Sequence, residues 1–353
     1  ETDPTVSDPN RWQPLAINGF IDQSGQVLES APPFQSPEWG WVQPFALDND
    51  QLTMHERDGE LWPTYLDPGP PLYTGGDMSF EEDSMFKHHF AMVSIWQSQH
   101  DPFNGVMIDA SPSNIGNVQS FPDDFSEYGD FYNYLEGGDS GIGHDLNPST
   151  GLPYEEQLVP LGDYARILAE FWADGPDSET PPGHWFSILN EVMSHSAFTR
   201  DWMGEGEELD PLEYEVKAYI TLGGAVHDAA IAAWGVKGYY DYTRPISAIR
   251  YMADQGQSSN PSLPSYSPNG IPLYPGFIEL VDDTDDLAGE GGENIGKIKV
   301  FTWQGPDYID TYEAENGLDI PTDTAGNSAG VDWILAENWW PYQRPSFVTP
   351  PFA

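Results

Sequence analysis

The segment Trp234-Gly-Val-Lys237-Gly-Tyr-Tyr-Asp-Tyr-Thr-Arg244-Pro245 holds the residues of this chain best suited to chemistry. Lysine and arginine total only 12 against 58 acidic residues, yet three of the 12, Lys237, Arg244 and Arg250, fall within residues 237–250. An arginine offers a planar fork of donors and a lysine a compact charge. Together they suit a tetrahedral oxyanion that the acidic surroundings would otherwise repel. A plainer reading of the same spacing pairs Lys237 and Arg244 with nearby carboxylates such as Asp228 and Asp241. Trp234, three residues before Lys237, either borders such an anion or closes the apolar face of its helix.

Other candidates are less specific. Gly138-Asp139-Ser140-Gly141 is similar to the nucleophile loop of serine proteases, but such tetrapeptides arise by chance in Gly- and Asp-rich coil. His88, His89 and His100 are candidate metal ligands, although His89 falls on an apolar helical face and reads as a core or cap residue. His227 reads as structural, with a supporting role behind an anion site as the alternative. The acidic loop Asp282 to Glu293 offers Asp282, Asp283, Asp285 and Asp286 to calcium. Its spacing departs from regular calcium loops, so a solvated charge run is the preferred reading.

The elements that must position these residues are mainly helical. Phe80, Met85, Phe86, His89, Phe90, Val93 and Trp96 recur at three- and four-residue steps, which predicts a helix of about four turns from Ser79. Further helices are expected over Gly162 to Ala173, with Tyr164, Ile167, Leu168 and Phe171 on one face, and from Trp185 to Phe198, entered through Pro181-Pro182. The clearest start is Asp210-Pro211-Leu212-Glu213, which offers a cap, a proline at the first helical position and a capping-box acid. Its apolar face is read as Val216, Tyr219, Ile220, Gly223, Val226, Ala230, Ile231 and Trp234, with Gly235 as its stop. Another helix begins at Pro245, keeping Ile246, Ile249 and Met252 in register. Lys297 to Trp303 is the one passable strand. Residues 1–80, dense in Pro, Gly and Asp but carrying Trp12, Phe34, Trp39, Trp41 and Phe45, read as ordered coil wrapped on a core.

Composition narrows the function. A chain of 353 residues with 14% aromatics can bury a substantial core, and its formal net charge of −46 argues against nucleic acid as a partner. No apolar run reaches the ~18–20 residues of a membrane span. Cysteine is absent, which excludes disulfides and thiolate metal sites. The acid excess suits a saline medium, where the Debye length is short. Glu1 in place of an initiator Met suggests a leader already removed, hence a secreted or periplasmic protein.

Lys237, six intervening residues and then Arg244-Pro245 resemble the first signature of the superfamily of vanadium haloperoxidases and type 2 phosphatidic acid phosphatases. The flanks Ala225-Val226-His227-Asp228 through Trp234 and Pro245-Ile246-Ser247-Ala248-Ile249-Arg250 are similar to its bacterial haloperoxidase-like branch, as are Gly183-His184-Trp185 and Asn147 to Tyr154. The resemblance runs from about residue 10 to the end. It implies a helical bundle of the haloperoxidase type with long ordered coil segments, made of a wrapping segment (1–80) and a helical domain (81–353) incomplete at its C-terminal side. It further implies that Lys237 and Arg244 hold vanadate, or phosphate as its analogue, with Trp234 beside them. Hydrogen peroxide would then oxidise a halide to hypohalous acid, the vanadium acting as a Lewis acid.

The chain departs from the family at one point: the Ser-Gly-His signature and the later Arg and His signature are missing. Trp339 to Ala353 resembles the stretch that precedes Ser-Gly-His, and there the sequence stops. The expectation is that a second polypeptide carries the remaining ligands, and that this chain alone binds vanadate weakly or not at all. An acid phosphatase with the same pocket and a non-catalytic structural or assembly protein are the alternatives. A homo-oligomer is an open expectation.

Overall fold

A computed structural model describes residues 8–14, 20–21, 27–28, 37–75, 78–101, 104–115, 127, 143–171, 180–304 and 330–342. Five α-helices fall in these residues: α1 (Phe80–Gln97), α2 (Leu161–Phe171), α3 (Pro181–Ser194), α4 (Pro211–Tyr240) and α5 (Pro245–Gln255). Nine short strands accompany them: β1 (Phe20–Ile21), β2 (Val27–Leu28), β3 (Leu52–Arg57), β4 (Glu60–Tyr65), β5 (Met107–Asp109), β6 (Leu158–Pro160), β7 (Ile278–Leu280), β8 (Ile298–Trp303) and β9 (Val331–Leu335). The class is therefore mixed, which corrects the mainly α expectation.

The chain divides into two compact units interleaved along the sequence. One comprises residues 1–10, 72–173 and 243–353, the other residues 11–71 and 174–242.

In the first unit α1 starts as its sequence predicts. Ser79 caps it and Glu82 bonds back to the Ser79 amide, a reciprocal capping box. Phe86, Phe90, Ala91 and Ile95 of α1 and Ile246, Ala248, Ile249 and Met252 of α5 are buried. Against them lies an antiparallel sheet of order β7-β8-β9. Strand β8, expected alone, is the middle strand, and its residues are buried on both faces apart from the partly exposed Phe301. Even Lys299 is buried there, its ammonium 2.6 Å from Asp285 and 3.7 Å from Glu279. Buried Gln97 closes the unit, donating to Thr302 Oγ1 (3.1 Å) and the Trp340 carbonyl (2.6 Å) and accepting from the Tyr342 amide (2.6 Å). Helix α2 departs from its expected face: Arg166 is buried while Ile167 and Leu168 are exposed.

The second unit is built on α4. Its start is the one the sequence predicts, with Asp210 accepting from the Leu212 amide (3.0 Å) and Pro211 at the first position. Its end is not. The helix runs through Gly235 and stops at Asp241, whose left-handed φ of 49° breaks the helix. The buried stripe is Gly224, Asp228, Ile231, Gly235 and Gly238, whereas Val216 and Ile220 of the expected apolar face are 54% and 61% exposed. The small residues explain the reversal. A Cβ on Gly235 would sit 3.2 Å from Gly40 Cα and from the Pro63 carbonyl oxygen, so α4, the 3-10 turn Pro37–Trp41 and β4 meet at backbone contact. Residues 52–65, expected as coil, form the β3–β4 hairpin around Asp58-Gly59, both with positive φ (56° and 82°).

Candidate functional site

The last turn of α4 carries Lys237. Its ammonium lies 5.5 Å from the ring centroid of Trp234, one turn earlier, and Trp234 tilts against Trp39 at 6.3 Å. That contact keeps a cation over an aromatic face and gives Trp234 a packing role. The carbonyls that close this turn are met by two of the scarce cations: Arg57 donates to the Tyr239 carbonyl, and Arg11 to that of Tyr240 at 2.9 Å. Cations at a helix C-terminus oppose its partial negative charge. The hairpin adds a second brace. His55 Nε2 and Asp67 lie 2.7 Å apart, the Tyr240 hydroxyl donates to Asp67 at 2.9 Å, and the His55 ring stacks on Tyr239 at 3.9 Å.

Asp228, a suggested partner of Lys237, is committed elsewhere. Its carboxylate accepts the amide hydrogens of Phe45 (2.6 Å), Ala46 (2.6 Å) and Leu47 (3.0 Å). Nine residues along one helix also separate it from Lys237 by about 13 Å of rise. Asp241 serves as the C-cap of α4. His227, as expected of a structural residue, lies 3.0 Å from the Gln43 carbonyl oxygen.

Arg244 is the N-cap of α5, and its side chain makes no capping bond. Burial lowers its pKa to about 10, so the guanidinium remains charged at neutral pH. On either side, Thr243 and Ser247 are each 5% exposed, and neither hydroxyl has a hydrogen-bond partner among the described residues. Sequence reasoning missed both, although a Ser at the third position of an Arg-Pro helix start is a readable signal. Lys237 belongs to the second compact unit and Arg244 to the first. Both offer charged donors and no acceptor, a chemistry that fits an oxyanion such as vanadate.

The remaining candidates separate cleanly. Among the described residues no group of three His, Asp or Glu is arranged to hold a metal. The calcium expectation at Asp282, Asp283, Asp285 and Asp286 is corrected accordingly. Asp282 caps its own turn through Thr284, and Asp285 is taken by Lys299. His88, not His89, is the buried member of its pair, and its Nδ1 meets the Tyr274 hydroxyl. His100 lies edge-on to Tyr342 (4.3 Å), with its pKa lowered to about 3 by burial and by the charge of Arg166. Gly138 to Gly141 and Gln343 to Ala353, like Ala31 to Phe34, lie outside the described residues. No helix among the described residues is long and apolar enough to cross a membrane.

Comparison with known proteins bears on this region directly. Residues 217–261 match the family model described as the VCPO second helical-bundle domain, a stretch that includes Trp234, Lys237, Arg244 and all of α5. No curated protein and no solved structure matches the chain. The match covers 45 of the 353 residues and shows that residues 217–261 are similar to part of one helical-bundle domain of the vanadium haloperoxidases.

Proposed function

We propose that the protein is a vanadate-dependent haloperoxidase whose chain contributes the lysine and arginine part of the oxyanion pocket. The observation that carries this reading is the position of the family match: its 45 residues, 217–261, enclose Lys237 and Arg244, two of the 12 cations in a chain of net charge −46. Bound vanadate would supply a Lewis acid that activates hydrogen peroxide toward halide. Lys237 and Arg244 would hold its oxygens and offset its negative charge. Trp234 would keep the Lys237 ammonium oriented. A second polypeptide or segment would bring the Ser-Gly-His and the Arg and His ligands. The acidic surface suits an exported enzyme in a saline medium.

The test is an assay of the purified protein with orthovanadate, hydrogen peroxide and bromide, followed by halogenation of a phenolic dye. Dye halogenation that needs both vanadate and halide supports the proposal. Phosphate release from a model ester without halide oxidation would assign the pocket to a phosphatase. Neither activity, in material whose mass spectrum shows no companion polypeptide, would leave a structural or assembly protein.

A further inference from the structure

Helix α4 carries a second apolar row that the fold leaves uncovered. Leu212, Val216 and Ile220 follow one another at four-residue steps and are 68%, 54% and 61% exposed. The next position in the row, Gly224, has no side chain, and the Phe45 ring lies over it so closely that a Cβ there would overlap the ring. Phe45 is itself 63% exposed, so its ring extends the row. From residue 212 to residue 224 a helix rises about 18 Å, enough for three turns of a second helix. An i, i+4, i+8 row forms a ridge that fits between the ridges of another helix. Exposed apolar surface that is contiguous, and not scattered, marks a contact surface.

The border of the row is acidic. Residues 205–216 hold Glu205, Glu207, Glu208, Asp210, Glu213 and Glu215 and no lysine or arginine, and all six acids are exposed. Asp48 and Asp50, exposed a few residues after Phe45, continue the charge at the other end. The cations nearest in sequence, Arg200 and Lys217, are taken by Glu208 (3.3 Å) and Glu213 (2.7 Å). A second copy would bring the same acids against these in a chain of net charge −46, and like charges facing one another oppose that contact. An anionic surface is repelled for the same reason.

We infer that this row is the docking surface for a cationic amphipathic helix of a partner polypeptide. The partner's apolar side chains cover Leu212, Val216, Ile220 and the Phe45 ring, and lysines or arginines along its borders meet the acids. The inference goes beyond the proposed function and stands whether or not the protein binds vanadate.

The test uses the full chain and a labelled synthetic peptide of about 14 residues, with leucines at helical spacing on one face and lysines elsewhere. Binding is followed by fluorescence anisotropy at about 0.15 M salt. A control peptide keeps every lysine and replaces the leucines with serine, at equal charge. The leucine peptide should bind roughly tenfold more tightly than the serine one, or better. Val216→Gln with Ile220→Gln should remove that advantage, while Leu158→Gln, at an exposed leucine of the other compact unit, leaves it unchanged. Glu207→Gln with Glu215→Gln should weaken binding of the leucine peptide roughly two- to fivefold, a difference that shrinks as salt rises. All these side chains are exposed, so circular dichroism and Tm should match wild type, which separates loss of binding from misfolding. Three results overturn the inference: no peptide binding up to about 100 μM, equal binding of the two peptides, or binding untouched by the Val216 and Ile220 changes. Sedimentation velocity supplies a fourth, since self-association of the wild type that the same two changes abolish would give the row to a second copy.

Discussion

Replacing Asp228 with asparagine perturbs the bond set that holds the coil around Phe45 to α4, the helix that carries Lys237. The carboxylate accepts three backbone amides at 2.6, 2.6 and 3.0 Å. Hydrogen bonds to charged groups contribute about 1.5–3 kcal/mol each, which sets a ceiling of roughly 5–9 kcal/mol. Two features pull the value down. Phe45 and Ala46 are exposed, so their amides can rehydrate, and asparagine keeps one acceptor oxygen. We therefore expect Asp228→Asn to cost about 2–4 kcal/mol, or a fall in Tm on the order of 5–10 °C. The effect should also depend on pH. Burial raises the Asp228 pKa, but the amides of Phe45, Ala46 and Leu47 and the charge of His227 outweigh it and leave it below 3.8. Its stabilisation is thus present above pH 3.8 and is lost as pH falls through the lower folded value. The wild-type and variant curves should converge in acid. A loss under about 0.5 kcal/mol at pH 7, or a gap that does not narrow as pH falls below 3.8, refutes the reasoning.

Three further outcomes follow from the packing. Gln97→Leu removes the partner of the buried Tyr342 amide and of the part-buried Trp340 carbonyl and should cost at least about 3 kcal/mol in urea unfolding; a neutral result contradicts that bond set. Gly40→Ala drives a methyl into the Pro63 carbonyl oxygen and should destabilise by about 2–3 kcal/mol, whereas a tolerated alanine would deny the close approach of the 3-10 turn, β4 and α4. His100 binds protons more weakly folded (about 3) than unfolded (6.5), so the unfolded state takes up the proton between those values. Stability should fall by about 1.4 kcal/mol per pH unit from 6.5 toward 3 on account of this residue. Calorimetry of His100→Phe, which keeps a ring against Tyr342, should show a shallower acid slope, and an unchanged slope contradicts the assignment.

Local signals were legible where they are chemical. Asp210-Pro211 and the Ser79 boundary mark real helix starts, and Ile246, Ile249 and Met252 are buried as their spacing requires. The side on which α4 is buried was not legible from apolar periodicity. The helix packs through glycines and Asp228, whose value is close backbone approach and hydrogen bonding, so Val216 and Ile220 point to the wrong face. The β3–β4 hairpin was readable from Asp58-Gly59 between two strand-like runs, yet the Pro and Gly density around it suggested coil. At the site, Lys237 and Arg244 stand out by scarcity alone. Thr243 and Ser247 do not, because a hydroxyl becomes conspicuous only when the fold buries it and leaves it without a partner. The acidic loop shows the converse: its density of carboxylates offered a cation site although its spacing read as a solvated charge run, and Lys299, distant in sequence, supplies the positive charge.

The central claim is that two scarce cations hold an oxyanion, and binding of orthovanadate to the purified protein together with any polypeptide that co-purifies, measured by equilibrium dialysis, tests it most directly. Lys237→Ala and Arg244→Ala should each weaken that binding by tenfold or more, on the order of 1.4 kcal/mol, while Lys217→Ala, which removes an exposed lysine paired with Glu213, leaves it unchanged. Equal losses in all three variants, or none in Lys237→Ala and Arg244→Ala, would contradict the account.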